Sequence, residues 1–129
     1  MSFNLFDYCD ANGVNQFKEW AKKLQTPQRA KLNAKLDMLS NQGSELFPDV
    51  LTGTDTPGIL KLRVKGNVQL RPMLCDGPVN INKEYTLLLG AIEVGDELKP
   101  KNADKLADKR KNEVKLNPNT RRVKHERIC

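Results

Sequence analysis

The 129 residues suffice for one hydrophobic core and not two, and 38% apolar content is that of a globular chain. Only 5% is aromatic, with four of the seven aromatic residues before position 18, which argues against RRM- or OB-type sheets whose bases stack on aromatic platforms. The net charge of +6 is unevenly spread: residues 99–129 hold 11 Lys or Arg against 4 acids, and residues 1–98 hold 11 against 12, so a nearly neutral body precedes a basic segment. That segment either draws in phosphates with a strong salt dependence or forms a solvated face; composition leaves both open.

Cys9, Cys75 and Cys129 are odd in number, far apart and in no metal-ligand spacing, so neither a disulfide framework nor a zinc site is expected. Met1–Asn15 contains Asp7 and Asp10 and no apolar h-region, and no run of 18 apolar residues follows. A cytoplasmic protein with no membrane contact is therefore expected.

Phe3–Tyr8 reads as a short edge strand, ended by the turn cluster Cys9-Asp10-Ala11-Asn12-Gly13. Phe17, Trp20, Ala21 and Leu24 then recur at i, i+3, i+4 and i+7, which predicts a helix over Val14–Leu24 with Trp20 in the core. Thr26-Pro27 supplies an N-cap and a proline at the first helical position. A second helix with the stripe Leu32, Leu36 and Leu39 should therefore run to Gly43. Residues 44–58, with Pro48, Gly53, Pro57 and Gly58, read as an irregular loop.

The 18 residues Ile59–Asp76 carry the strongest functional signal. Leu60, Leu62 and Val64 alternate with Lys61, Arg63 and Lys65, so one strand should put three cations on a single face. A Gly66-Asn67 turn then returns a second strand, Val68–Cys75, which sets Arg71 beside Arg63 across the pair. Pro72 requires a bulge or an unpaired edge in that strand. Tyr85–Ile92 is nearly all apolar and reads as a central strand buried on both faces. Ala103, Leu106, Ala107, Arg110 and Val114 outline a charged helix with a narrow apolar seam, ending at Asn117-Pro118 and laid across the sheet edge. Thr120–Cys129 suits either a terminal strand or a disordered basic arm, so residues 1–117 are expected to form the domain and 118–129 a tail.

The chain has no phosphate-binding GxxxxGK[ST] loop, no GxSxG elbow and no HExxH. What remains is a phosphate-directed set. Arg63 and Arg71 would stabilise charge on a phosphodiester, with His125 as the sole imidazole for proton transfer. Lys61, Lys65, Arg110, Arg121, Arg122, Lys124 and Arg127 would hold RNA. The simpler alternatives are strand arginines that guard an edge and a histidine lying on the surface of a basic tail.

In the order of these pieces the chain resembles the RelE/HigB superfamily of toxins, in its phage-derived branch. The matching segments are Phe17-Lys-Glu-Trp20, Leu62-Arg63, Leu70-Arg71 and Leu88-Leu-Gly90, within residues 14–110. The resemblance implies an α+β fold, a twisted, mainly antiparallel sheet with two N-terminal helices packed on it and a charged C-terminal helix. It implies a type II toxin that cleaves ribosome-bound mRNA without a cofactor, is masked by a cognate antitoxin, and uses Arg63, Arg71 and His125. The family often has a Lys-Lys pair after its last core strand, where this chain has the acidic Glu93–Glu97 segment. A non-catalytic module of the same fold is the alternative expectation, and a gyrase-directed inhibitor comes third.

Overall fold

The computed structural model describes residues 2–128. In chain order these form β1 (Asn4–Tyr8), α1 (Gln16–Lys22), α2 (Thr26–Gln42), a 3-10 turn (Gly43–Leu46), β2 (Leu51–Gly53), β3 (Leu60–Leu62), β4 (Gln69–Leu70) and β5 (Met73–Asp76). There follow β6 (Glu84–Leu89), β7 (Ile92–Val94), β8 (Glu97–Lys99), α3 (Ala103–Leu116), α4 (Pro118–Arg121) and β9 (Arg122–Lys124). The class is α+β. A six-stranded sheet runs in the order β2-β3-β5-β6-β1-β9, and a small sheet in the order β4-β7-β8. Every pairing is antiparallel except β1 with β6.

Both helices form where the apolar stripe and its caps place them. Asn15 Oδ1 accepts from Lys18 N–H at 3.0 Å to start α1, and Gly43, at φ 56°, ends α2 in a backbone region that an L-residue enters only under strain. The cap of α2 is Gln25, in a reciprocal box with Gln28, and not Thr26 as expected. Phe17, Ala21, Leu32, Leu36 and Leu39 bury themselves against Leu62, Leu74 and Leu87 of the sheet. Each large apolar side chain so buried contributes about 1.5–3 kcal/mol.

Four expectations change. Strand β1 is no edge, because β6 lies on one side and β9 on the other. Helix α3 covers the opposite face of the sheet instead of crossing its edge, packing Ala103, Ala107 and Val114 on Tyr8, Met73, Cys75 and Leu88. The sheet is thus sandwiched between α1/α2 and α3. The expected strand Val68–Cys75 is broken in two at Arg71-Pro72, where the chain leaves the small sheet for the large one. Proline has no N–H for a ladder, so Pro72 contributes only its carbonyl, to Leu62 N–H, while Arg71 N–H turns to Ala91 O at 2.8 Å.

The fourth concerns the tail, in which the strand alternative holds for residues 122–124. β9 pairs with β1, His125 N–H donates to Leu5 O at 2.9 Å, and Ile128 is buried in the main core with its carbonyl held by Asn33 Nδ2 at 2.7 Å. Residues 118–128 therefore belong to the domain, and Cys129 lies outside the described residues.

Cys9 and Cys75 are buried. Burial pushes the Cys75 thiol up to about 12 and also raises that of Cys9, so at pH 8 neither supplies the reactive thiolate. In a Cys129→Ser background, Ellman's reagent should label neither thiol of the native protein within minutes and both after denaturation; rapid native labelling would show that the sheet opens.

Candidate functional site

Beyond Leu62, β3 ends. Arg63 N–H turns to Val50 O at 2.7 Å, and only a single bridge, Val64 to Leu70, closes the loop 65–69. The Gly66-Asn67 turn thus belongs to a wider loop, braced by Gln69 Nε2 donating to Gly66 O at 3.0 Å. This early end dictates where the cations go. Arg63 and Lys65 swing towards α2, whose Lys31 and Lys35 stand one helical turn apart on the flank of its buried leucine stripe.

Between them lies an open cleft of about 390 Å³, lined by Lys31, Ala34, Lys35, Asp49, Val50, Arg63, Val64 and Lys65. A smaller recess beside it shares Lys31, Val64 and Lys65 and adds Gln25, Gln28 and Asn67. Four cations face one carboxylate. Among the described residues none of the four has an ion-pair partner, and Asp49 has none either. An unneutralised cationic wall above an apolar floor of Ala34, Val50 and Val64 is the electrostatic signature of an anion site.

The other expected residues are placed differently. Lys61 does not line the cleft with Arg63 and Lys65; it lines a separate recess with Thr54, Asp55, Leu98 and Asp104. Arg71 is buried. Its Nη1 donates to Leu70 O at 2.8 Å, and its Nε lies 3.6 Å from Glu93 Oε1. Burial lowers its pKa, the Glu93 carboxylate raises it, and the nearby Arg63 charge lowers it again. The two arginines are therefore neighbours, as expected, but Arg71 is already neutralised.

The arginines expected to hold RNA in the C-terminal segment are mostly occupied within the fold. Arg110 donates to Leu88 O at 2.9 Å and lies 5.0 Å over the Tyr8 ring. Arg121 pairs with Glu113 at 2.6 Å. Arg122 pairs with Glu84 and stacks 3.9 Å over Phe6. Arg127 reaches Asp37 at 2.6 Å. Lys124 is exposed. Two of the four arginines, Arg122 and Arg127, meet carboxylates of the body, and Arg121 pairs within its own segment.

His125 is not a surface side chain. Its Nδ1 sits 2.9 Å from Oδ1 of Asp7, a residue 1% exposed, and Asn15 Nδ2 donates to the other carboxylate oxygen at 2.8 Å. The ring edge meets Phe17 with centroids 6.0 Å apart. No buried side-chain polar atom lacks a partner among the described residues, so Nε2, which bonds to nothing in the protein, reaches solvent. This is an oriented imidazole. It stands beside β9, however, and β3 lies four strand spacings away in the sheet, about 19 Å at the usual separation. The structure brings Arg63 and Arg71 together and leaves His125 apart.

Sequence reasoning missed Lys31 and Lys35. The signal was available: two lysines at i and i+4 on the rim of an amphipathic helix are adjacent cations wherever that helix packs. It also missed Asp7, whose alternation with Leu5 placed a carboxylate on the buried face. Among the described residues no group of acids, cysteines and histidine forms a metal site, and no helix is long and apolar enough to cross a membrane. Compared with family models, with curated proteins and with solved structures, the chain gives no match.

Proposed function

We propose that this chain is an RNA-directed, toxin-like protein of the RelE/HigB type, whose α2–β3 cleft seats the backbone phosphates of a ribosome-bound message. The observation that carries the reading is the set of four cations, Lys31, Lys35, Arg63 and Lys65, gathered around one cleft without ion-pair partners. A ribose 2′-OH beside a seated phosphate would lose its proton to water and attack the phosphorus. The bond from phosphorus to the 5′-oxygen would break and that oxygen would take up a proton, leaving a 2′,3′-cyclic phosphate. The cations would stabilise the charge that builds on the phosphorane. No cofactor enters this chemistry. The masking partner implied by the family resemblance would be an antitoxin with acidic side chains that cover the same wall.

One observation favours a second reading, a module of the same fold that holds RNA without cutting it. The imidazole stands beside β9 and lines no part of the cleft, which leaves the cleft cations without it and with the Asp49 carboxylate as the one acid in the lining. Induced expression in a bacterial host separates the two. Growth arrest with new mRNA 5′ ends within minutes, relieved by Lys31→Ala/Arg63→Ala, would support the nuclease; retained RNA binding with intact mRNA would support the module.

In vitro, each lysine or arginine removed from the cleft should weaken binding of a single-stranded RNA. Each should also reduce the slope of log K against log salt by about 0.7. A Lys31→Ala/Lys35→Ala/Arg63→Ala variant that binds as tightly as the wild type, at every salt, would remove the cleft from both readings.

A further inference from the structure

Glu93 occupies a position that the chemistry of its surroundings reserves for an anion. It belongs to β7 of the small sheet, which pairs with β4 so that Gln69 stands opposite Glu93 and Leu70 opposite Ile92. That register delivers the Glu93 carboxylate to the guanidinium of Arg71, with Nε and Oε1 3.6 Å apart. Arg71 Nη2 reaches Gln69 Oε1 at 3.4 Å, a long contact, and Nη1 is committed to Leu70 O. The Nε side therefore faces a carboxylate that is itself partly exposed, 28% against 8% for the Arg71 side chain.

The antiparallel bridge between Val64 and Leu70 continues the β3–β5 register and sets Arg63 across from Arg71, and Arg63 also lines the cationic cleft. Two neighbouring guanidiniums repel unless an anion lies near them. Glu93 answers that need at the Nε side of Arg71. Its hairpin partner β8 is short and carries Glu97, exposed at its start, while Val94 and Asp96 are also exposed. Few buried apolar contacts hold this hairpin, in contrast to the wholly buried β6, so it should open more cheaply than that central strand.

We propose that Arg63 and Arg71 form a phosphate subsite at the end of the α2–β3 cleft, and that Glu93 fills it as an internal stand-in until an RNA phosphate displaces the carboxylate. The proposal rests on the cleft being an RNA site. It makes Glu93 a brake on binding: the phosphate gains Arg71 only after the β7–β8 hairpin has given it up. A planar guanidinium suits either partner, since carboxylate and phosphate both accept its paired N–H groups.

The test is a double-mutant cycle read by binding of a fluorescein-labelled single-stranded RNA. Glu93→Gln should tighten binding about tenfold, the size of one charge-assisted hydrogen bond. Glu97→Gln, which changes the net charge equally on the same hairpin, should tighten it by less than about threefold. In an Arg71→Met background, checked for its fold by circular dichroism, the Glu93→Gln gain should vanish; Arg63→Ala replaces Arg71→Met if the latter unfolds. Equal gains from Glu93→Gln and Glu97→Gln would overturn the proposal, as would a gain that persists without the arginine.

Failure of the underlying cleft reading is recognised separately, as absence of RNA binding in wild type and Glu93→Gln alike. Inorganic phosphate then decides, followed on the Arg71 Nε–Hε resonance. A phosphate-dependent shift in Glu93→Gln that wild type lacks would uphold the subsite for small anions, and no shift in either protein would end it.

Discussion

A chain ending at Asn117 should fail to fold. That cut removes β9 from the edge of β1, where Phe6, Asp7 and Tyr8 pair with Lys124, Val123 and Arg122. It also strips two buried carboxylates of their cationic or imidazole partners: Asp7 loses His125 and Glu84 loses Arg122. Asp7 is 1% and Glu84 6% exposed, so neither recovers full hydration. Removing one member of a buried ion pair such as Glu84–Arg122 costs about 3–5 kcal/mol, and leaving Asp7 without its hydrogen-bond partner adds about 1–3 kcal/mol, which together are a large share of the 5–15 kcal/mol by which a domain is stable. The loss of Ile128 from the core and of its carbonyl from Asn33 adds to this. Circular dichroism of residues 1–117 should give no cooperative melt, whereas Lys124→Ala in the full chain should melt within a degree or two of wild type. A truncated chain with a native-like melt would return residues 118–128 to the status of an appended arm.

Gly90→Ala should be among the costliest single methyl additions in the protein. A Cβ at Gly90 would overlap the Trp20 indole, which lies directly on that glycine. The ring is partly buried and not fully in the core as expected, and its retreat is limited by Phe17, tilted at 47° with centroids 5.4 Å apart, which in turn meets His125. Overpacking of this kind costs about 1–3 kcal/mol, a fall in Tm of roughly 5 °C per kcal/mol for a domain of this size. Trp20 fluorescence should shift to the red as the indole is driven outward. Gly53→Ala is the control, because nothing lies within 4 Å of a Cβ there. Equal Tm values for the two variants would mean that Trp20 has an alternative place to pack.

The helices were legible because their information is local: a stripe at 3.6-residue spacing, Pro27 at the start of α2 and Gly43 at its end are all contained within one segment. Strand β6 was legible in part: its apolar run marks a buried strand, but the run reads on to Ile92, whereas β6 ends at Leu89 and Ile92 belongs to β7 of the small sheet. The break at Arg71-Pro72 was half legible. Proline signalled an interruption, but the new partner of Gln69 and Leu70, a strand twenty residues later, depends on which segments meet in space. Charge was the least transferable signal. Arg110, Arg121, Arg122 and Arg127 look alike in a row of basic residues, yet the carboxylates or carbonyls that engage them come from α1, α2, β6 and α3 as well as from their own segment. The cleft was read only in part, because Lys31 and Lys35 lie off the leucine stripe that marks the helix, and the strand expected to carry Arg63 and Lys65 ends before reaching them.

The placement of β1 between β6 and β9 governs the order in which the molecule can assemble. Its two neighbours are made some eighty and some one hundred and twenty residues after it, so the innermost contacts of the sheet span nearly the whole sequence, and such non-local pairings slow folding. The cleft, by contrast, draws on residues 31–65 alone. During synthesis the cationic wall can therefore emerge and take shape before the strand that completes the sheet exists, and the domain acquires its full stability only when residues 122–128 are free to close it.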